Sequence, residues 1–192
     1  MSALKKQQTN PDSMDIFTAI ETRRSNGLVT DAPVSEKDIQ TLLQAATWAP
    51  THKRSEPWRF HVFMNEGRDT LAEAIRQGGK EEKARKVYRA PVVIGVVSAP
   101  GRAAKNPPEW EDHAATAAAV QNMALATHGL GLAGFWKSGD VTEYPAVKEL
   151  LEVDESYGDR IMAFFYIGHP NPDLPQPERP TPDWQQKATF YK

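Results

Sequence analysis

The sequence predicts an α+β fold, a central sheet with helices packed on it, and three observations carry that prediction. Val92-Val93-Ile94-Gly95-Val96-Val97 is an unbroken apolar run behind Pro91, the pattern of a strand buried on both faces. The stretch from about Trp110 to His128 is rich in small residues nearly all round, so it predicts a long helix with neighbours on more than one side. The strand patterns are separated by helical ones, and helices outnumber strands.

Each element has its own signal. Residues 1–12 are polar and read as a disordered lead. Asp12 or Ser13 can cap a first helix running to about Arg24, where Asn26-Gly27 breaks it. On that helix Ile16 and Ile20 share a face, and continuing the face brings Arg23 and Arg24 inward. Ser35 and Asp38 have capping-box spacing, and Ile39, Leu42, Leu43 and Ala46 form an amphipathic stripe that ends before Pro50. A loop from Ala49 to Pro57 leads into the alternating stretch Trp58 to Phe63, a half-buried strand. A third helix covers about 67–77 with Leu71 and Ile75 inward, and Gly78-Gly79 stops it. A shorter one covers about 81–88. Pro100 to Pro108 is a loop before the long helix, which Gly129-Leu130-Gly131 ends. Leu132 to Trp136 is a short strand, Thr142 caps a helix with Val147, Leu150 and Leu151 inward, and Ile161 to Ile167 is the last core strand. Beyond Gly168, six prolines forbid helix and central strand, yet Trp184, Phe190 and Tyr191 lie in this tail.

Length fits one domain over residues 13–169, followed by an extended arm at 170–192 that suits packing on a partner subunit. The net charge of -2 gives no electrostatic case for nucleic acid or an acidic membrane. There is no cysteine, which excludes disulfides, thiolate nucleophiles and cysteine-held metals. No stretch is long and apolar enough to span a bilayer, and the first residues lack the apolar core of a secretory signal. The expectation is a cytoplasmic protein.

The chemistry is concentrated at Arg23-Arg24-Ser25. Two planar guanidinium forks and a hydroxyl make a phosphate clamp. A basic last turn offsetting the helix dipole explains the same residues without any ligand. Other motifs fail. The five histidines have no zinc spacing, and Glu111-Asp112-His113 reads as the exposed first turn of a helix. Gly129, Gly131 and Gly134 spell GxGxxG, but a helix precedes them where a dinucleotide turn needs a strand.

Taken in order, Arg23-Arg24-Ser25, Ala49-Pro50 with Pro57-Trp58, the alanine-rich helix ending in Gly129-Leu130-Gly131, and Trp136-Lys137-Ser138-Gly139 resemble the FMN-dependent nitroreductase family. Thr51-His52-Lys53 and the Trp136 segment are similar to its short, single-domain NAD(P)H nitroreductase-like subgroup. The resemblance covers about residues 14–168. It implies a nitroreductase-like fold with a mixed central β-sheet, and a homodimer with FMN at the subunit interface. It assigns Arg23, Arg24 and Ser25 to the FMN phosphate and ribityl chain. Trp136, Lys137 and Ser138 would lie near the cofactor. His52, with Thr51 and Arg54 less directly, would reach the flavin held mainly by the other subunit, and Trp48 would approach from the same side. NAD(P)H would be the co-substrate, and an electron-poor small molecule such as a nitroaromatic or quinone the acceptor, in ping-pong order. No side chain is required as acid or base. Two positions depart from the family: Glu56 stands where glutamine is common, and Gly27 stands where a cation is common. A flavin carrier without turnover, or a flavin-fragmenting or dehalogenating enzyme, remains open on the same fold.

Overall fold

A computed structural model describes residues 14–102 and 107–192; the expected disordered lead at 1–12 and part of the 100–108 loop lie outside the described residues. The elements run α1 (Ile16–Thr22), α2 (Glu36–Thr47), β1 (Trp58–Met64), α3 (Gly67–Gln77), α4 (Glu81–Arg85), β2 (Val92–Ser98), α5 (Glu109–Gly129), β3 (Ala133–Lys137), α6 (Pro145–Leu150) and β4 (Arg160–Gly168). The sheet order is β1-β2-β4-β3, and every neighbouring pair is antiparallel. The sheet is therefore antiparallel rather than mixed. Among the described residues its parallel component is confined to one isolated bridge, Ser25 with Gly134, where the chain after α1 runs beside the edge strand β3.

β2 is buried along its whole length, as its unbroken apolar run requires. Val92, Ile94 and Val96 face one core with Leu42, Ala119 and Met123 from α2 and α5. Val93 and Val97 alternate onto the other core with Leu71, Val87 and Leu151. Burying these two layers is the main stabilising contribution, at roughly 25 cal/mol per Å² of apolar surface. The long helix α5 packs on α1, α2, β2, β3 and β4, so its small residues do meet neighbours on more than one side. In α2, the Ser35 hydroxyl accepts the Asp38 N–H at 3.1 Å and donates to its carboxylate at 2.7 Å, the cap that the spacing predicts.

Four local expectations change. α1 is capped by Asp15, which accepts the N–H groups of Phe17 and Thr18, and it stops at Thr22. Arg23 turns to extended backbone (φ -56°, ψ 134°), so the arginine pair leaves the helical face that Ile16 and Ile20 define. That face is itself exposed, with Phe17 74% accessible beside Ile16 and Ile20. Thr142 sits in a 3₁₀ turn over Asp140–Glu143; α6 begins at Pro145, whose missing N–H costs nothing in a first turn. Asp112 is buried rather than exposed, because it turns from α5 to accept a hydrogen bond from Ser55 at 2.6 Å.

Asp159 ties the sheet edge together. Its buried Oδ2 accepts from Arg59 at 2.7 Å, Arg102 at 2.6 Å and the Asp154 N–H at 3.1 Å. In the C-terminal arm, Trp184 and Phe190 meet edge to face at 6.3 Å, and both are exposed with Tyr191.

Candidate functional site: an arginine cleft beside the edge strand

A cleft of about 370 Å³ opens between the end of α1, the last turns of α5 and β3; Arg23, Arg24, Asn26, His128, Gly134 and Gln176 are among its walls. The Ser25–Gly134 bridge and the Asn26 N–H, which donates to the Gly134 carbonyl at 3.1 Å, press this segment onto β3. Asn26 is buried, with its amide on Gln176 Oε1 at 2.6 Å and its carbonyl on the Leu28 N–H at 2.8 Å. Gly134 is needed for this closeness: a Cβ there would lie 2.9 Å from the Tyr166 carbonyl oxygen.

The electrostatics of the cleft are one-sided. Among the described residues neither Arg23 nor Arg24 has a carboxylate partner. Arg24 spends Nη1 on the carbonyls of Glu21 and Arg23, at 2.7 and 3.0 Å, and leaves a buried Nε without a partner. Arg23 holds its proton less tightly than usual, because it is partly buried and faces Arg179 and Arg24. His128 is pushed down by burial and then by Arg23 and Arg24. Its Nε2 lies 2.7 Å from Thr22 Oγ1, whose own proton goes to the Thr18 carbonyl. With that proton committed, His128 Nε2 is the donor in this contact. Clustered cations around an orphaned guanidinium N–H form a receptor for an anion. The residues present fit a phosphate monoester.

The remaining sequence-predicted residues lie elsewhere. Ser25 lies between the cleft residues Arg24 and Asn26 but is not itself a wall of the cleft, and its side chain is exposed. Trp136 donates its indole N–H to the Met162 carbonyl at 2.9 Å and keeps a face open, and Ser138 follows it in the exposed turn. Lys137 points to the opposite face of β3, 6.0 Å from the Tyr166 ring centre, and is not a wall of the arginine cleft. Trp48 caps the end of α2 and is 78% exposed. Thr51 and His52 border a second cleft of about 290 Å³ with Pro50, Trp110, Glu111 and Ala114. His52 Nδ1 sits 2.5 Å from the Glu111 carboxylate. Lys53, Arg54 and Glu56 all take positive φ (54°, 56° and 46°), a strained turn that the bonds to Glu111 and Asp112 hold in place.

Sequence reasoning missed Arg179, His128, Gln176 and Glu111. Arg179 and Gln176 belong to the proline-rich arm, where no periodicity marks a site. His128 looks like an ordinary basic residue in a last turn. Glu111 acquires its role only from a loop 59 positions away. The GxGxxG glycines are dispersed, with Gly129 ending α5, Gly131 in the turn and Gly134 inside β3, so they build no phosphate-binding loop.

Comparison with known proteins agrees with this geometry. The profile of the Nitroreductase family matches residues 20–169. The Escherichia coli K12 protein named "Putative NAD(P)H nitroreductase YdjA" is 33% identical over 166 residues, covering 82% of this chain and 89% of its own. A nitroreductase-like family protein from Bacillus cereus superposes with a TM-score of 0.78 at 29% identity, over 93% of this chain and 96% of that one. A nitroreductase-type protein from Desulfovibrio desulfuricans, solved in complex with FMN, superposes at 0.66 with 33% identity, over 90% and 94%. With fold, site order and sequence in agreement, this chain belongs to the nitroreductase family, a family of enzymes.

Proposed function

We propose that this protein is an FMN-dependent oxidoreductase that takes hydride from NAD(P)H and passes it to an electron-poor acceptor such as a nitroaromatic or quinone. The observation that carries the reading is the arginine cleft: paired guanidinium groups without carboxylates, one with a buried orphan N–H, beside an edge strand held open by Gly134. The FMN present in the 33%-identical Desulfovibrio relative supports it.

When bound, FMN supplies the redox chemistry that connects the two substrates. The chain's own residues bind and orient. Arg23 and Arg24 neutralise the phosphate, with Arg179 and His128 close by, and Ser25 contributes at the ribityl end. Trp136 and Ser138 line the ring's approach, and Lys137 serves the cofactor from the other face of β3. From a second subunit come Trp48 and His52, with Thr51 and Arg54 in support, and the Glu111 carboxylate fixes the His52 ring. Donor and acceptor use one open face in turn, a ping-pong order. No residue of the chain is assigned as acid or base.

The same reading makes the protein a homodimer. Ile16, Phe17 and Ile20 on α1 and Trp184, Phe190 and Tyr191 on the 170–192 arm expose more apolar surface than a lone subunit keeps without reason. No described helix is long and apolar enough to cross a membrane, and a cytoplasmic setting fits an NAD(P)H-consuming reaction.

The test is chromatography of flavin released from purified protein, with NAD(P)H oxidation measured on the same sample. FMN with acceptor-dependent turnover supports the reading. Bound flavin that NAD(P)H does not reduce points to a carrier, flavin consumed in turnover points to fragmentation, and FAD or no flavin after added FMN removes the reading. Sedimentation of a stable monomer that still holds FMN would remove the shared site.

A further inference from the structure

The C-terminal arm forms one wall of the arginine cleft. Pro170, Pro172 and Gln176 line it together with Arg23, Arg24 and Asn26. The arm reaches that place by pairing with the chain after α1. The Thr30 N–H donates to the His169 carbonyl at 2.9 Å, Val29 bridges Pro170 antiparallel, and the Asn171 N–H donates to the Leu28 carbonyl at 2.9 Å. The Asn171 side chain then turns the arm by accepting the Asp173 N–H at 3.0 Å. Pro175-Gln176-Pro177 follows. Pro175 fixes its own φ and Pro177 steers Gln176 to extended backbone, so the glutamine is presented with little backbone freedom left to lose.

Asn26 receives it. The Oδ1 of Asn26 accepts the Leu28 N–H at 2.8 Å, which settles how the amide faces: its Nδ2 group donates to Gln176 Oε1 at 2.6 Å. The Asn26 backbone N–H donates to the Gly134 carbonyl at 3.1 Å. One buried residue thus joins the arm, the edge strand and the segment that carries the arginine pair. Arg24 spends its bonds on carbonyls of its own segment, at Glu21 and Arg23, so the pair depends on its neighbours for its place. Asn26 follows Arg24 by two positions, which sets the arm at the arginine end of the cleft. The effect of Arg179 on Arg23 agrees with that placement.

We propose that Gln176 is a positioning residue for the flavin phosphate: from the arm it holds Asn26, and through Asn26 it keeps Arg23 and Arg24 in place for the anion. This inference rests on the flavin-oxidoreductase reading. The variant is Gln176→Ala, at an exposed position whose truncation removes no core packing. Its FMN dissociation constant rises about three- to tenfold, the contribution of one neutral hydrogen bond. Riboflavin, which lacks the phosphate, binds parent and variant alike, a split that a general loosening of the fold would not produce. A probe without flavin reads the same site: inorganic phosphate raises the Tm of the parent apoprotein and raises that of the variant by less. In an Asn26→Ala background, adding Gln176→Ala changes FMN affinity no further, because the effect runs through Asn26. Unchanged FMN affinity in Gln176→Ala, an equal loss for FMN and riboflavin, an equal phosphate shift in parent and variant, or an additive effect in the Asn26→Ala background overturns the inference. Should Asn26→Ala fail to fold, the comparison of FMN with riboflavin in Gln176→Ala decides, and should riboflavin bind neither protein, the phosphate shift decides. Parent protein that binds no FMN sinks the flavin reading instead, and the phosphate shift still tells whether Gln176 serves an anion site.

Discussion

Ser25 and Gly134 form a single parallel bridge, and that contact sets the arginine pair against the edge of an otherwise antiparallel sheet. A side chain at Gly134 would collide with the Tyr166 carbonyl oxygen at 2.9 Å and the Phe165 ring at 3.0 Å. Gly134→Val should cost about 1–3 kcal/mol of stability by overpacking. It should also loosen the 23–26 segment and deplete bound FMN. Urea denaturation and flavin content of the purified variant check both; full flavin content at parental stability would contradict the role given to the bridge.

Replacing Arg23 and Arg24 together by Ala should weaken FMN binding far more than apoprotein folding. Charge-assisted hydrogen bonds contribute about 1.5–3 kcal/mol each, so affinity should fall by roughly two to four powers of ten. A helix-dipole role alone would cost about 0.3–1 kcal/mol of stability per residue and leave affinity intact. FMN titration of the apo double variant, beside its melting curve, distinguishes these outcomes.

His128 predicts a pH dependence of the apoprotein. Burial, then Arg23 and Arg24, depress its pKa below the ordinary 6.5. As pH falls below that value, the unfolded chain takes up a proton that the folded chain resists, so stability is lost on acidification. Bound phosphate opposes the effect by supplying a counter-charge. Melting curves from about pH 7.5 down to about 5.5 should show a decline that His128→Gln reduces. His61, also depressed by burial, contributes a remainder that the variant keeps. An unaltered decline in His128→Gln would assign the whole effect to His61 and other groups.

Asp159 should be a stability residue with no part in flavin binding. Asp159→Ala removes the shared acceptor of Arg59 and Arg102. The expected loss is about 2–4 kcal/mol, moderated because both arginines keep partial access to water. Denaturant unfolding gives the stability change, and FMN affinity of the folded variant should match the parent.

The sequence by itself determined the α+β class, the two-faced burial of β2, the Ser35 cap of α2 and the order of motifs that resembles the nitroreductase family. These are local or periodic properties: alternation, helical spacing and capping chemistry act within a few residues, and the chain cannot satisfy them otherwise. The tertiary structure alone decided what surrounds each candidate. It released Arg23 and Arg24 from the helical face on which Ile16 and Ile20 lie, because α1 ends at Thr22 and the chain turns to bridge Gly134. It brought Arg179 from the arm into the cation set, joined His52 to Glu111, buried Asp112 under Ser55, and placed Lys137 across β3 from the arginines. Each of these joins residues far apart in the chain. Charge and hydrogen bonding act through space, and a single sequence carries no period or spacing for partners that meet only when the sheet edge and the long helix are assembled.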